Sequence, residues 1–140
     1  MLTEIQEGKA LAPVVKHITQ ERINLYAEAS GDFNPIHIDA SFAAKTPFGG
    51  TIAHGMLNLA YVSEMMTSAF GRSWASGGKL RARFKGSARP GDTLTIAGKI
   101  DCIEQESNVS YANCSFECRN QKGETIVAGE AVVKLSSGKE

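Results

Sequence analysis

The chain has 140 residues, 42% apolar and 21% charged, with 15 basic side chains against 15 acidic ones. That is enough apolar sequence for the core of one domain, read as residues 1–140, and a balanced charge argues against a dedicated nucleic-acid binder. The most apolar stretch, Met56 to Phe70, is interrupted by Asn58, Ser63, Glu64, Thr67 and Ser68, which makes it too polar and too short to cross a membrane.

In chain order, "MLTEIQEGKALAP" carries acids where a secretory leader needs basic and then apolar residues, so a cytoplasmic location is expected. A strand is predicted at Val14–Ile18. Thr19 then caps a helix with Ile23, Tyr26, Ala27 and Ser30 on one face, and Gly31 stops it. The polar loop "SGDFNPIHID" follows, and Asp39 caps a helical turn through Ser41–Ala44.

A second helix is predicted from Gly55 to Phe70, ended by Gly71. It is apolar nearly all round, so something must wrap it. The second half supplies alternating stretches at Lys79–Gly86, Thr93–Ile103, Val109–Arg119 and Thr125–Leu135. Turns at Pro90-Gly91, Glu106–Asn108 and Asn120–Gly123 make successive strands antiparallel neighbours. The expectation is an α+β fold, an antiparallel sheet around a central buried helix, with "SSGKE" frayed at the end. This arrangement resembles a hot-dog domain.

Three cysteines, Cys102, Cys114 and Cys118, form an odd set expected to be free thiols. Four residues along a strand separate side chains by roughly 13 Å, too far for Cys114 and Cys118 to share a metal. Buried thiols are expected instead. "NVS" at Asn108 and "NCS" at Asn113 match a glycosylation pattern without a secretory context.

Within the polar loop, Pro35 stiffens the turn and pushes Asn34 toward extended geometry. A rigid turn can face the Asp32 carboxylate toward the His37 imidazole across a water molecule, a proton-handling arrangement. Residue types alone favour a plainer reading, with Asp32 and Asn34 as turn formers and His37 packed. In "GGTIAHGML", the Gly55 N–H stands at a helix start, where unpaired donors suit a developing oxyanion. Crowded entry into the core explains the same glycines. His54 reads as a structural hydrogen-bonder. Ser63 either bonds its own backbone, the default, or points at the acid–histidine loop. Lys79, Arg81, Arg83 and Lys85 line one face of a strand, either as a solvated outer face or as an attraction for phosphates.

Together, "YAEASGDFNPIHIDASFA" (Tyr26 to Ala43), "TPFGGTIAHGML", "RPGD" (Arg89 to Asp92) and "GEAVVKL" (Gly129 to Leu135) resemble the MaoC-like, (R)-specific enoyl-CoA hydratases, in the family's order and over nearly the whole chain. The resemblance implies reversible hydration of trans-2-enoyl-CoA to (R)-3-hydroxyacyl-CoA, with no metal and no cofactor beyond the coenzyme A of the substrate. It implies Asp32 and His37 as the water-activating pair, the Gly55 N–H as oxyanion donor, Ser63 ordering the pair and Asn34 holding the loop. Met56, Leu59, Tyr61 and Met65 become candidate acyl-chain lining, although core packing explains them equally. Arg81 and Arg83 become candidate contacts for coenzyme A phosphates or an acidic acyl carrier protein. A homodimer or higher homo-oligomer is expected, with no nucleic-acid or membrane partner. The alternatives on the same fold are an acyl-carrier-protein dehydratase, a thioesterase and a non-catalytic acyl-CoA binding protein.

Overall fold

A computed structural model describes residues 1–135, so the expectation for "SSGKE" lies outside the described residues. The elements are β1 (Val14–His17), α1 (Gln20–Ser30), α2 (Pro35–Ile38), α3 (Ala40–Ala44), α4 (Gly55–Phe70), α5 (Arg72–Gly77), β2 (Lys79–Phe84), β3 (Thr93–Glu106), β4 (Val109–Arg119) and β5 (Thr125–Lys134). Thr19 caps α1 by accepting from the Arg22 N–H, and Gly31 closes it at φ 78° in the left-handed region. α4 spans the predicted residues. The single turns α2 and α5 were not foreseen.

The sheet is antiparallel with strand order β1-β3-β4-β5-β2. β3, β4 and β5 are neighbours, as their short turns require. Ser107 and Asn108 join β3 to β4 with both φ angles positive, the geometry that matches hairpin twist. The expected adjacency of β2 and β3 fails, because β2 crosses to pair with β5, leaving its other edge unpaired among the described residues. Close pairing there depends on Gly129, where a Cβ would run into the Arg81 carbonyl and the Phe116 ring. A bulge between Ile100 and Cys102 keeps Ile103 on the same face as Ile100.

α4 packs on one face of this sheet through Leu57, Tyr61, Val62, Met65, Met66, Ala69 and Phe70. Met65 lies so close to Gly98 that a Cβ there would be 2.9 Å from its methyl carbon. The helix is not wrapped all round. Met56, Ala60, Glu64, Thr67 and Ser68 stay exposed, because the sheet covers one side only. Cys114 and Cys118 are buried on the helix-facing side of β4, and burial pushes their thiols up to about 12 and about 11. No helix among the described residues is long and apolar enough to cross a membrane.

Candidate active site

The polar loop is built by short side chains that hold the backbone two residues ahead. Ser30 Oγ accepts from the Asp32 N–H at 3.2 Å, Asp32 Oδ1 from the Asn34 N–H at 3.2 Å, and Asn34 Oδ1 from the Ile36 N–H at 3.0 Å. The last of these bonds caps α2, whose first residue is Pro35. The turn-former reading and the site reading therefore describe the same residues. Asn34 supports the loop through this bond.

α2 aims His37 at the segment before α4. His37 Nδ1 lies 2.8 Å from the Ile52 carbonyl oxygen. A carbonyl only accepts, so Nδ1 carries the proton and Nε2 is left to work as a base. Two unforeseen residues clamp this contact. Gln20 donates to the His37 carbonyl at 2.7 Å and accepts from Thr51 Oγ1 at 2.7 Å. Nothing in their spacing signals it, because the partners lie 17 and 31 residues away.

Polar atoms of Asp32, His37 and His54 all lie within 4.8 Å of one another. A water bonded to both members of an acid–imidazole pair spans roughly 4.6 Å, a span that fits within this limit. The same trio invites a metal reading, which the ring geometry does not suit. His37 and His54 are stacked with centroids 3.8 Å apart and planes 24° from parallel. Their in-plane lone pairs run side by side, and an ion at about 2.1 Å from both nitrogens cannot lie in both planes.

Gly55 opens α4, and its N–H has no partner among the described residues, as expected of a first turn. The Phe84 ring lies against it, and a Cβ at Gly55 would sit 3.1 Å from that ring. Ser63 is two turns further along and accepts from Trp74 Nε1 at 2.9 Å, so α5 rather than the acid–histidine loop occupies its hydroxyl. Met65 and Tyr61 are core residues, Leu59 is half-buried, and Met56 is exposed near the site. Arg81 and Arg83 project from the sheet face opposite α4, where Arg83 pairs with Glu130 at 3.0 Å. The structure thus gathers Asp32, His37 and His54, the residue before Gly55, while Ser63 bonds the Trp74 indole and Arg81 and Arg83 lie on the sheet's other face.

The family described as "MaoC like domain" matches residues 4–117. A protein named (R)-specific enoyl-CoA hydratase, from Rhodospirillum rubrum, is 30% identical over 132 residues, covering 94% of this chain and 89% of that protein. A 3-hydroxybutyryl-CoA dehydratase from Methylorubrum extorquens is 30% identical over 125 residues, 89% of this chain and 78% of that protein. The solved (R)-hydratase from A. caviae involved in PHA biosynthesis superimposes with a TM-score of 0.81 at 28% identity, covering 96% of this chain and 100% of that one.

Proposed function

The chain belongs to the MaoC-like dehydratase domain family, and from that premise we propose that it hydrates trans-2-enoyl-CoA reversibly to (R)-3-hydroxyacyl-CoA on a hot-dog fold. The observation that carries this reading is that polar atoms of Asp32 and His37 lie within 4.8 Å of each other, with the His37 tautomer set by Ile52. In the hydration direction, His37 Nε2 takes a proton from the held water as its oxygen bonds to C3. Charge moves to the thioester oxygen, which the Gly55 N–H stabilises. The His37 imidazolium, steadied by the Asp32 carboxylate, returns a proton to C2 as the enolate collapses. Hydroxyl and hydrogen from one water end on C3 and C2, and the pair regains its starting charge. No cofactor or metal enters these steps.

Coenzyme A is taken as the thioester carrier rather than an acyl carrier protein, following the names of the relatives at 30% identity. The test is loss of conjugation in a panel of enoyl-CoA esters. Free thiol release at the same rate would favour a thioesterase, and activity only on carrier-bound esters would favour the carrier-protein dehydratase.

A homodimer completes the reading. β2, whose outer edge is unpaired among the described residues, carries exposed Phe84, and Met56, Phe33 and Ile38 are further large exposed apolar side chains. A second copy paired along that edge would cover apolar surface and wall the acyl chain. Light scattering checks it: a monomer at assay concentration with full activity would refute the dimer. Three free thiols fit a reducing cytoplasm.

A further inference from the structure

His54 reads from sequence as a structural hydrogen-bonder, and its side-chain bond goes to the acid–histidine loop rather than to the start of α4. It is the N-cap residue of α4 but makes no side-chain cap bond, although short polar side chains at that position normally do. It is 2% exposed, and its Nδ1 is buried without a partner among the described residues. Holding an imidazole in this position sacrifices helix capping and leaves a polar atom unsatisfied. What it gains lies entirely on the acid–base side. Nε2 lies 3.0 Å from the Asp32 carbonyl oxygen, to which it donates. One face of the ring stacks on His37 at 3.8 Å. Tyr26 of α1 backs the ring at 4.8 Å, with planes tilted by 59°.

We propose that His54 is a positioning residue for the Asp32–His37 pair, and this rests on the hydratase reading above. The Ile52 bond holds His37 at a single atom, which leaves the imidazole free to swing about it. The flat face of His54 removes that freedom, so Nε2 points to one place whether or not it carries a proton. The same ring holds the Asp32 main chain through Nε2–H and so sets the carboxylate's distance from His37. Both halves of the water gap are referenced to one buried ring, itself fixed at the start of the helix that supplies the Gly55 N–H. The groups facing it are Tyr26 from α1, Asp32 from the loop and His37 from α2.

The test compares His54→Asn and His54→Phe in the full chain. Asn is a good N-cap, so α4 keeps its start while the stack and the Asp32 contact are lost. Phe keeps the stacking face and loses only the N–H. Small misplacements of reacting groups are costly, so His54→Asn is expected to lower kcat on a short enoyl-CoA by about 10- to 100-fold with KM nearly unchanged. His54→Phe is expected to recover part of that loss. Imidazole 15N spectra read the protonated nitrogen directly. The wild type should show Nδ1–H for His37 and Nε2–H for His54, and His54→Asn should move His37 toward a tautomer mixture. Wild-type kcat in a folded His54→Asn, or a His37 tautomer unmoved while activity falls, overturns the proposal. If His54→Asn does not fold, His54→Phe and the wild-type spectra still decide it: wild-type kcat in His54→Phe, or a proton on His54 Nδ1 alone, counts against it. Absence of any hydration by the wild type would instead sink the hydratase reading.

Discussion

His37 Nδ1 lies 2.8 Å from the Ile52 carbonyl oxygen, and this one contact decides which nitrogen of the ring is available to a substrate. Variants can therefore remove chemistry while sparing the loop. Asp32→Asn keeps an Oδ1 to accept from the Asn34 N–H, and His37→Asn keeps an N–H for Ile52. Each is expected to lower kcat by about 10²- to 10⁴-fold, the usual contribution of acid–base groups, with an unchanged melting temperature. Near-wild-type turnover in either variant would show that the pair does not handle the proton.

Much of this site could be read before the fold was known, and the reason is local. Thr19, Gly31, Asn34, Asp39 and Gly71 act on backbone within a few residues, so α1, α3 and α4 and the loop's tightness follow from spacing. What failed was long-range. Alternation announces β2 as a strand but not that its partner β5 lies some 45 residues on. Apolar residues around α4 do not tell which face the sheet takes. A serine in mid-helix reads alike whether it faces the loop or, as Ser63 does, the Trp74 indole. The partners of His54 were hidden for the same reason, since its three neighbours come from α1, the loop and α2.

The oxyanion role of Gly55 can be isolated by proline. Proline is well tolerated at the first position of a helix and has no N–H. It also needs an extended residue before it, and His54 already has φ −59° and ψ 137°. Gly55→Pro should therefore fold and lose about 10²- to 10³-fold in kcat, as for loss of one oxyanion donor. Gly55→Ala controls for the added carbon against Phe84, which the exposed ring can accommodate by turning. It should retain most activity. Equal losses in both variants would assign the effect to crowding rather than to the donor.

Placement of the basic strand changes what charge reversal should do. Arg81 and Arg83 lie on the sheet face turned away from α4, and Arg83 already has Glu130 at 3.0 Å. Arg81→Glu with Arg83→Glu should leave KM for an enoyl-CoA within about twofold, because exposed pairs contribute little and are screened by salt. Steady-state kinetics at low ionic strength is the sensitive measurement. A KM raised tenfold there would return these arginines to the coenzyme A path.

The buried thiols predict a specific alkaline weakness. Burial holds Cys114 at about 12 and Cys118 at about 11, against 9.0 for an unburied thiol. Above pH 9 the unfolded chain loses both thiol protons while the folded chain keeps them. Protons bound are then fewer in the unfolded state, so stability falls as pH rises. The stabilisation is fully present below pH 9 and is lost progressively through the folded values, at up to about 1.4 kcal/mol per thiol per pH unit. Between pH 8 and pH 10 the two thiols together should cost about 2 to 3 kcal/mol of unfolding free energy. Urea unfolding of wild type and of Cys114→Ala with Cys118→Ala, at both pH values, isolates this contribution. The two proteins share every other ionisable side chain, and the lost packing lowers the variant by a constant amount. The wild type should converge on the variant as pH rises. Parallel pH dependences in the two proteins would mean that the thiols ionise in the folded chain as readily as in the unfolded one.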